Sequence, residues 1–164
     1  MKLLTSTMLA SYASPLGRLL LAADSDKLTG VWFEGQRHQP DPAVQPMVAD
    51  HPLMQQACAQ LREYFAGRRQ SFDLPLDLSC GTAFQQTVWR ALLNIPFGST
   101  DSYGALSADI GRPTAVRAVG LAIGRNPLAI IVPCHRVLGK DGALTGYAGG
   151  LARKTALLQL EGAV

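Results

Sequence analysis

The chain has 164 residues, 48% of them hydrophobic and 16% charged, with a net charge of +3. This is enough apolar material for one good core, or two small ones sharing an interface, and too little charge for a long disordered tail. No apolar run approaches bilayer-spanning length and Met1–Ala10 lacks the continuous apolar stretch of a signal peptide, so a soluble, cytoplasmic protein without a membrane partner is expected.

Charge is unevenly distributed. Residues 1–82 hold seven Lys/Arg and eight Asp/Glu, a net of −1, while residues 83–164 hold eight and four, a net of +4. Either a polyanion meets the second half, or a small protein shows a chance asymmetry. The cysteines, Cys58, Cys80 and Cys134, form no C-x-x-C pair. That argues against a zinc ribbon or dithiol redox motif and for a free thiol in a reducing compartment.

In chain order, the first third reads as β. Strands are predicted near Thr7–Ala13, at Leu19–Ala22 and at Leu28–Phe33, joined by turns at Ser14-Pro15-Leu16-Gly17 and Asp24-Ser25-Asp26-Lys27. A three-stranded antiparallel meander is the simple arrangement. Gln36–Pro46, with three prolines, reads as a loop. Leu53, Ala57, Leu61 and Phe65 make a helical stripe that Gly67 ends. Arg68–Cys80 reads as a connector with a short strand at Ser71–Leu74. His38 and His51 show no partner pattern and read as surface residues.

The second half reads as α. Thr82 and Gln85 form a capping-box pattern ahead of a helix with Phe84, Val88, Leu92 and Ile95 on one face, stopped by Pro96-Phe97-Gly98. Ser102 can cap a short helix containing Leu106 and Ile110. After the Gly111-Arg112-Pro113 break, a third helix is predicted from Thr114, with Val116, Val119, Gly120 and Ile123 on its inner face. Two short helices across a Gly-containing turn have helix-turn-helix proportions, which many ordinary helical cores share. The outer face would carry Thr114, Arg117, Ala118, Leu121 and Arg125, whose small residues and arginines add weight to close approach to DNA, the alternative being an exposed helix with two solvated arginines.

Leu128–Val132 is an apolar run suited to a buried strand or extended segment, and it leads into Pro133-Cys134-His135-Arg136-Val137. The thiolate is the reactive form of cysteine, and a neighbouring His held by a carboxylate can generate it. Glu161 falls on the apolar stripe Lys154, Leu157, Leu158 of the last predicted helix; it either bonds a partner such as His135 or frays into water. Gly139–Gly142 reads as a hairpin-like turn. Gly146-Tyr147-Ala148-Gly149-Gly150 is a Gly-rich loop without the Lys-Ser/Thr pair of a P-loop, either approaching a flat ligand or linking flexibly to the last helix.

Taken together, these blocks resemble the O6-alkylguanine-DNA alkyltransferases, in a short bacterial form. The resemblance rests on Arg125-Asn126-Pro127 before Pro133-Cys134-His135-Arg136-Val137, and on Phe84-Gln85-Gln86-Thr87-Val88-Trp89, Ser102-Tyr103, Arg117-Ala118-Val119-Gly120, Gly146–Gly150 and Glu161. It covers residues 82–161 closely and residues 1–78 loosely, through strand order and Tyr64-Phe65-Ala66-Gly67. The expected fold is α+β. An N-terminal supporting domain over 1–78 has a three-stranded antiparallel sheet and a helix; a helical domain over 79–164 has a winged helix-turn-helix and carries DNA binding and alkyl transfer.

The resemblance implies that Cys134 accepts the alkyl group once and irreversibly, that His135 deprotonates it through an ordered water, and that Glu161 holds His135. Asn126 would be the hinge before the active-site segment, Arg117 the finger that fills the gap left by a flipped base, and Tyr103 a donor to guanine N3 that also crowds the 3′ phosphate. Thr114, Ala115, Ala118, Gly120 and Arg125 would complete the DNA-facing surface, with Ala118 and Ala122 suiting a minor groove. The backbones of Val137 and Cys134 would meet the guanine edge, and Tyr147 and Ala148 would face the base, Ala148 replacing the Ser of some relatives. The implied partner is double-stranded DNA containing O6-alkylguanine, with O4-alkylthymine a further substrate, bound by a monomer. The Cys/His set of zinc-bearing relatives is missing, so neither metal nor cofactor is expected. A non-catalytic binder of alkylated DNA is the alternative; Cys134 argues against it, because such relatives replace the acceptor. A Cys-His-Glu hydrolase would leave the other motifs unexplained.

Overall fold

The computed structural model describes residues 7–41, 47–48 and 50–164, so the loop read at Gln36–Pro46 falls partly outside the described residues. Strands β1 (Thr7–Ser14), β2 (Gly17–Asp24) and β3 (Lys27–Phe33) form the expected antiparallel meander. Leu19, Leu21 and Phe33 face the main core, while Leu20, Ala22 and Trp32 join Leu9 in a second cluster. Both faces are covered, so β2 reads as a continuous apolar run rather than an alternation. Gly30 is required by Trp32: a Cβ there would sit 1.7 Å from the indole ring.

Both sheet edges are occupied, which protects them from pairing with other chains. Met47 bridges Leu9 of β1. On β3, Leu28 bridges Leu76 and Val31 bridges Leu128, with the Val31 N–H donating to Pro127 O (2.8 Å) and the Ala129 N–H to Val31 O (2.9 Å). The second half of the chain is therefore stitched to the N-terminal sheet just ahead of the cysteine segment.

Helix α1 (Pro52–Phe65) carries the predicted stripe, except that Tyr64 is fully buried and Phe65 only partly. The strand expected at Ser71–Leu74 does not form. The Gln60 side-chain amide takes the Asp73 backbone instead, accepting from its N–H and donating to its carbonyl at 2.8 Å each. His51, read as a surface residue, is only half-exposed.

Helix α2 (Ala83–Leu92) starts on the Thr82–Gln85 capping box, and Trp89 Nε1 donates to Ala122 O at 2.8 Å. The two-residue strand β4 (Asp101–Ser102) leads into α3 (Tyr103–Asp109), capped by Ser102 Oγ. Helix α4 (Val116–Ile123) begins two residues after the predicted start: Arg112–Ala115 closes as a turn, with the Ala115 N–H donating to Arg112 O, which holds Pro113 and Thr114 outside the helix. Ala122, expected to face outward, is buried beneath Trp89.

The run Leu128–Val132 is buried but is no strand. Only Leu128 pairs, and the chain then coils tightly through Ile130 at φ +72°. Strand β5 (Val137–Leu138) pairs in parallel with β4, so Gly139–Gly142 is a tight turn outside any hairpin. Helix α5 (Leu151–Leu160) ends the fold, and among the described residues no helix is long and apolar enough to cross a membrane.

Candidate active site

The coil from Asn126 to Cys134 is built around one side chain. Asn126 Oδ1 accepts the Leu128 N–H (2.9 Å), and its Nδ2 donates to Val132 O (2.8 Å) and reaches Cys134 Sγ at 3.0 Å. These bonds satisfy backbone groups that a neighbouring strand would otherwise take, which is why an apolar, β-branched run coils here. Asn126 thus fixes the shape of the segment and directs an N–H at the sulfur.

Cys134 opens a short 3-10 turn, Cys134–Arg136, at the wall of a cavity of about 400 Å3. Tyr103, Gly120, Arg125, Tyr147 and Ala148 line the same cavity. Its size falls in the range of small-ligand pockets. Arg37 and His38, from the loop after β3, also line it, so His38 is exposed as expected yet faces the pocket.

His135 is fully buried beside Cys134, and its Nε2 lies 2.8 Å from Glu161 Oε1. Glu161 is buried too. It receives Arg136 Nε on Oε2 (2.8 Å), Arg136 Nη2 on Oε1 (3.0 Å) and the Tyr64 hydroxyl on Oε1 (2.7 Å). Burial alone would raise the Glu161 carboxyl, but the hydrogen bonds from His135, Arg136 and Tyr64 overcome it and hold the group at about 2. Ionised at neutral pH, Glu161 fixes the His135 tautomer with the proton on Nε2. Burial holds the imidazole below its ordinary range despite the pull of Glu161, so it is neutral at neutral pH. Its Nδ1 has no hydrogen-bond partner among the described residues, leaving an acceptor available.

The thiol itself is under opposing influences. Burial pushes Cys134 up, while the Asn126 amide and the positive charge of Lys154 pull it down. Lys154 is fully buried, donating to Val137 O, Thr145 O (2.8 Å) and Gly146 O (3.4 Å); burial lowers it to about 8 against the attraction of Cys134. A buried cation near a thiol in low dielectric favours the thiolate.

The Gly-rich loop is no flexible link. The Arg37 N–H donates to Ala148 O (3.3 Å), Arg153 stacks over Phe33 at 4.6 Å and donates to Leu16 O (2.9 Å), and a Cβ on Gly149 would sit 3.1 Å from the Phe33 ring. The N-terminal sheet therefore backs the loop that carries Tyr147 and Ala148. The Tyr103 hydroxyl donates to Thr145 O at 3.3 Å across the same mouth.

Of the residues singled out from sequence, Cys134, His135, Glu161 and Asn126 converge, with Tyr103, Tyr147, Ala148, Gly120 and Arg125 around the cavity. Arg117 and Ala118 lie exposed on α4 and Thr114 lies exposed in the turn before it, with the N-cap Ala115 half-exposed, all outside the cavity lining. Val137 is fully buried, its carbonyl accepts Lys154 and its N–H donates to Cys134 O, and it does not line the cavity. Tyr64, Arg136 and Lys154 were not read as site residues. Lys154 shares a helical stripe with Glu161, and that was the one available signal; nothing local marks Tyr64. Among the described residues, no group of three or more His, Cys, Asp or Glu is placed to hold a metal.

Fold and site define a class of α+β protein with a buried thiol at the wall of a cavity of small-ligand size. Residues 83–163 match the family model of the 6-O-methylguanine DNA methyltransferase DNA binding domain, and residues 8–78 match that of its ribonuclease-like domain. The methylated-DNA–protein-cysteine methyltransferase of Mycobacterium leprae is 50% identical over 151 residues, covering 92% of this chain and 90% of that protein. The Haemophilus influenzae protein of the same name is 44% identical over 159 residues, covering 96% and 88%. A crystal structure of a Mycobacterium tuberculosis O6-methylguanine methyltransferase variant superposes with a TM-score of 0.87 at 49% identity, covering 95% of this chain and 93% of that one. The Mycobacterium tuberculosis OGT solved in complex with DNA gives 0.82 at 50% identity, covering 94% and 92%. The chain belongs to the 6-O-methylguanine DNA methyltransferase family.

Proposed function

We propose that Cys134 is the residue through which this chain performs the family's reaction, direct repair of O6-methylguanine in DNA by transfer of the methyl group to a cysteine. The observation that carries the assignment is the unpartnered His135 Nδ1, beside a thiol at the wall of a base-sized cavity, with Nε2 locked onto Glu161.

In this reading His135 takes the Cys134 proton on Nδ1 through an intervening water, and Lys154 and the Asn126 N–H stabilise the thiolate. Sulfur attacks the methyl carbon, the S–C bond forms as the C–O6 bond breaks, and guanine leaves with the bonding pair. A proton delivered toward the ring neutralises it, and Tyr103 at the cavity is the donor. The product is a thioether, a poor leaving group, and among the described residues Cys134 is the only cysteine lining the cavity. One molecule repairs one lesion.

O6 lies on the base-pairing edge, so the guanine must leave the stack to reach Sγ. Helix α4 is the surface presented to the duplex, with Thr114, Ala115 and Ala118 admitting close approach, Arg117 entering the vacated space, and Arg125 near the backbone. The small residues favour the minor groove. The division of labour is 1–78 for support and 79–164 for DNA binding and transfer, in a monomer working in the cytoplasm, where a thiol stays reduced.

The test is intact-mass measurement after incubation with a duplex containing O6-methylguanine. One added methyl on Cys134, and none on Cys58, Cys80 or the Cys134→Ala variant, is the expected result. An unmodified Cys134 ends the assignment.

A further inference from the structure

Tyr64 and Glu161 lie at opposite ends of the chain, 97 residues apart, yet the phenol donates to Glu161 Oε1 at 2.7 Å. That oxygen is the one that receives His135 Nε2. Tyr64 is fully buried on α1, and its ring packs between Phe65 (5.3 Å), Phe72 (5.4 Å) and Phe97 (6.2 Å), so neither ring nor hydroxyl has another place to go. The same Phe97 lies under the Arg136 guanidinium at 5.9 Å. A helix of the N-terminal half thus contributes directly to the hydrogen-bond relay that orients the base.

We propose that Tyr64 is a positioning residue for alkyl transfer, setting through Glu161 how strongly His135 holds a proton. This rests on the reading of Cys134 as acceptor and His135 as its base. A carboxylate oxygen that accepts several donors shares its charge among them. The Tyr64 hydroxyl has one proton and gives it to Oε1, which leaves less negative charge to hold a proton on His135. Removing that hydroxyl concentrates charge on His135, so the imidazole keeps its second proton to higher pH. Among the described residues, the charged groups acting on His135 are Arg136 on its own turn and Lys154 and Glu161 of α5 and its cap, with Cys134 next to it in sequence; Tyr64 on α1 and Tyr147 on the Gly-rich loop act on Glu161. Of these, Tyr64 supplies a neutral O–H to the Glu161 oxygen without adding charge.

The experiment is the pH dependence of the methyl-transfer rate, by intact mass on an O6-methylguanine duplex, for wild type, Tyr64→Phe, Glu161→Gln and the double variant. Phe72→Leu, which loosens the same aromatic cluster, is the packing control. Tyr64→Phe should move the acid-side midpoint up by about half a unit, which lowers the rate on the acid limb about threefold and leaves the high-pH plateau reachable. Phe72→Leu should leave the midpoint in place even if it lowers thermal stability. In the Glu161→Gln background, Tyr64→Phe should produce no further shift. An unmoved midpoint in Tyr64→Phe, an equal shift in Phe72→Leu, or a further shift in the double variant overturns the proposal while leaving Cys134 as acceptor. Absence of a methyl on Cys134 in the wild type overturns both.

Discussion

At the scale of single residues, the site balances a costly burial against a few well-placed partners. Burial pushes the Cys134 thiol above its ordinary range, and the Asn126 N–H and the Lys154 ammonium offset part of that rise. Replacing Lys154 by Met should therefore slow methyl transfer about tenfold near neutral pH, with the loss recovered as pH rises. A time course of intact mass at several pH values checks this; a loss that is equal at all pH values would assign Lys154 to the fold alone. Asn126→Ala removes both the N–H at sulfur and the bonds to Leu128 and Val132. It leaves buried backbone groups unsatisfied at about 1–3 kcal/mol each, so it should lower the urea midpoint as well as the rate.

At the scale of elements, the strongest local signals read correctly and the weakest did not. The Thr82–Gln85 capping box and Ser102 cap were legible because a side chain bonds its own helix three residues on. The Leu128–Val132 run resembled a strand because its residues are apolar and branched, and residue type does not reveal that the Asn126 side chain takes the place of a second strand. Tyr64 was hidden for a different reason: a four-residue stripe through Leu61 points to Phe65, and only the packed fold shows which aromatic reaches Glu161. Cys134, His135 and Glu161 were legible as a group because the motifs carry them, while the contacts of Arg136 and Lys154 depended on distances. Helix α4 is held to α2 by the Trp89–Ala122 bond. Trp89→Phe should cost about 1 kcal/mol from that bond and more from lost packing, seen in chemical denaturation, and should weaken binding to damaged duplex without altering the Cys134 thiol.

At the scale of the whole molecule, acid stability reports on the relay. Glu161 lies at about 2 in the folded protein against an ordinary 4.5. A carboxyl depressed in this way contributes its full stabilisation above the ordinary value and loses it as pH falls toward the folded one. Wild type should accordingly lose stability between about pH 4.5 and pH 2, and Glu161→Gln should show a shallower decline over that window in thermal melts. Equal slopes in the two proteins would mean that other carboxylates dominate acid unfolding.

The outer edge of β3 takes one partner from each side of the exposed Ser79–Cys80 junction: Leu76 before it and Leu128 after it. A chain severed at that junction would leave one fragment with an empty pairing slot and the other with the peptide that fills it. The two pieces, made separately and mixed, should find each other and regain reactivity toward damaged duplex, whereas the C-terminal piece by itself should aggregate. The coil from Asn126 to Cys134 would then be the zipper of a fragment-complementation pair, and Val31→Pro, which removes the N–H that Pro127 O accepts, should prevent the pieces from joining.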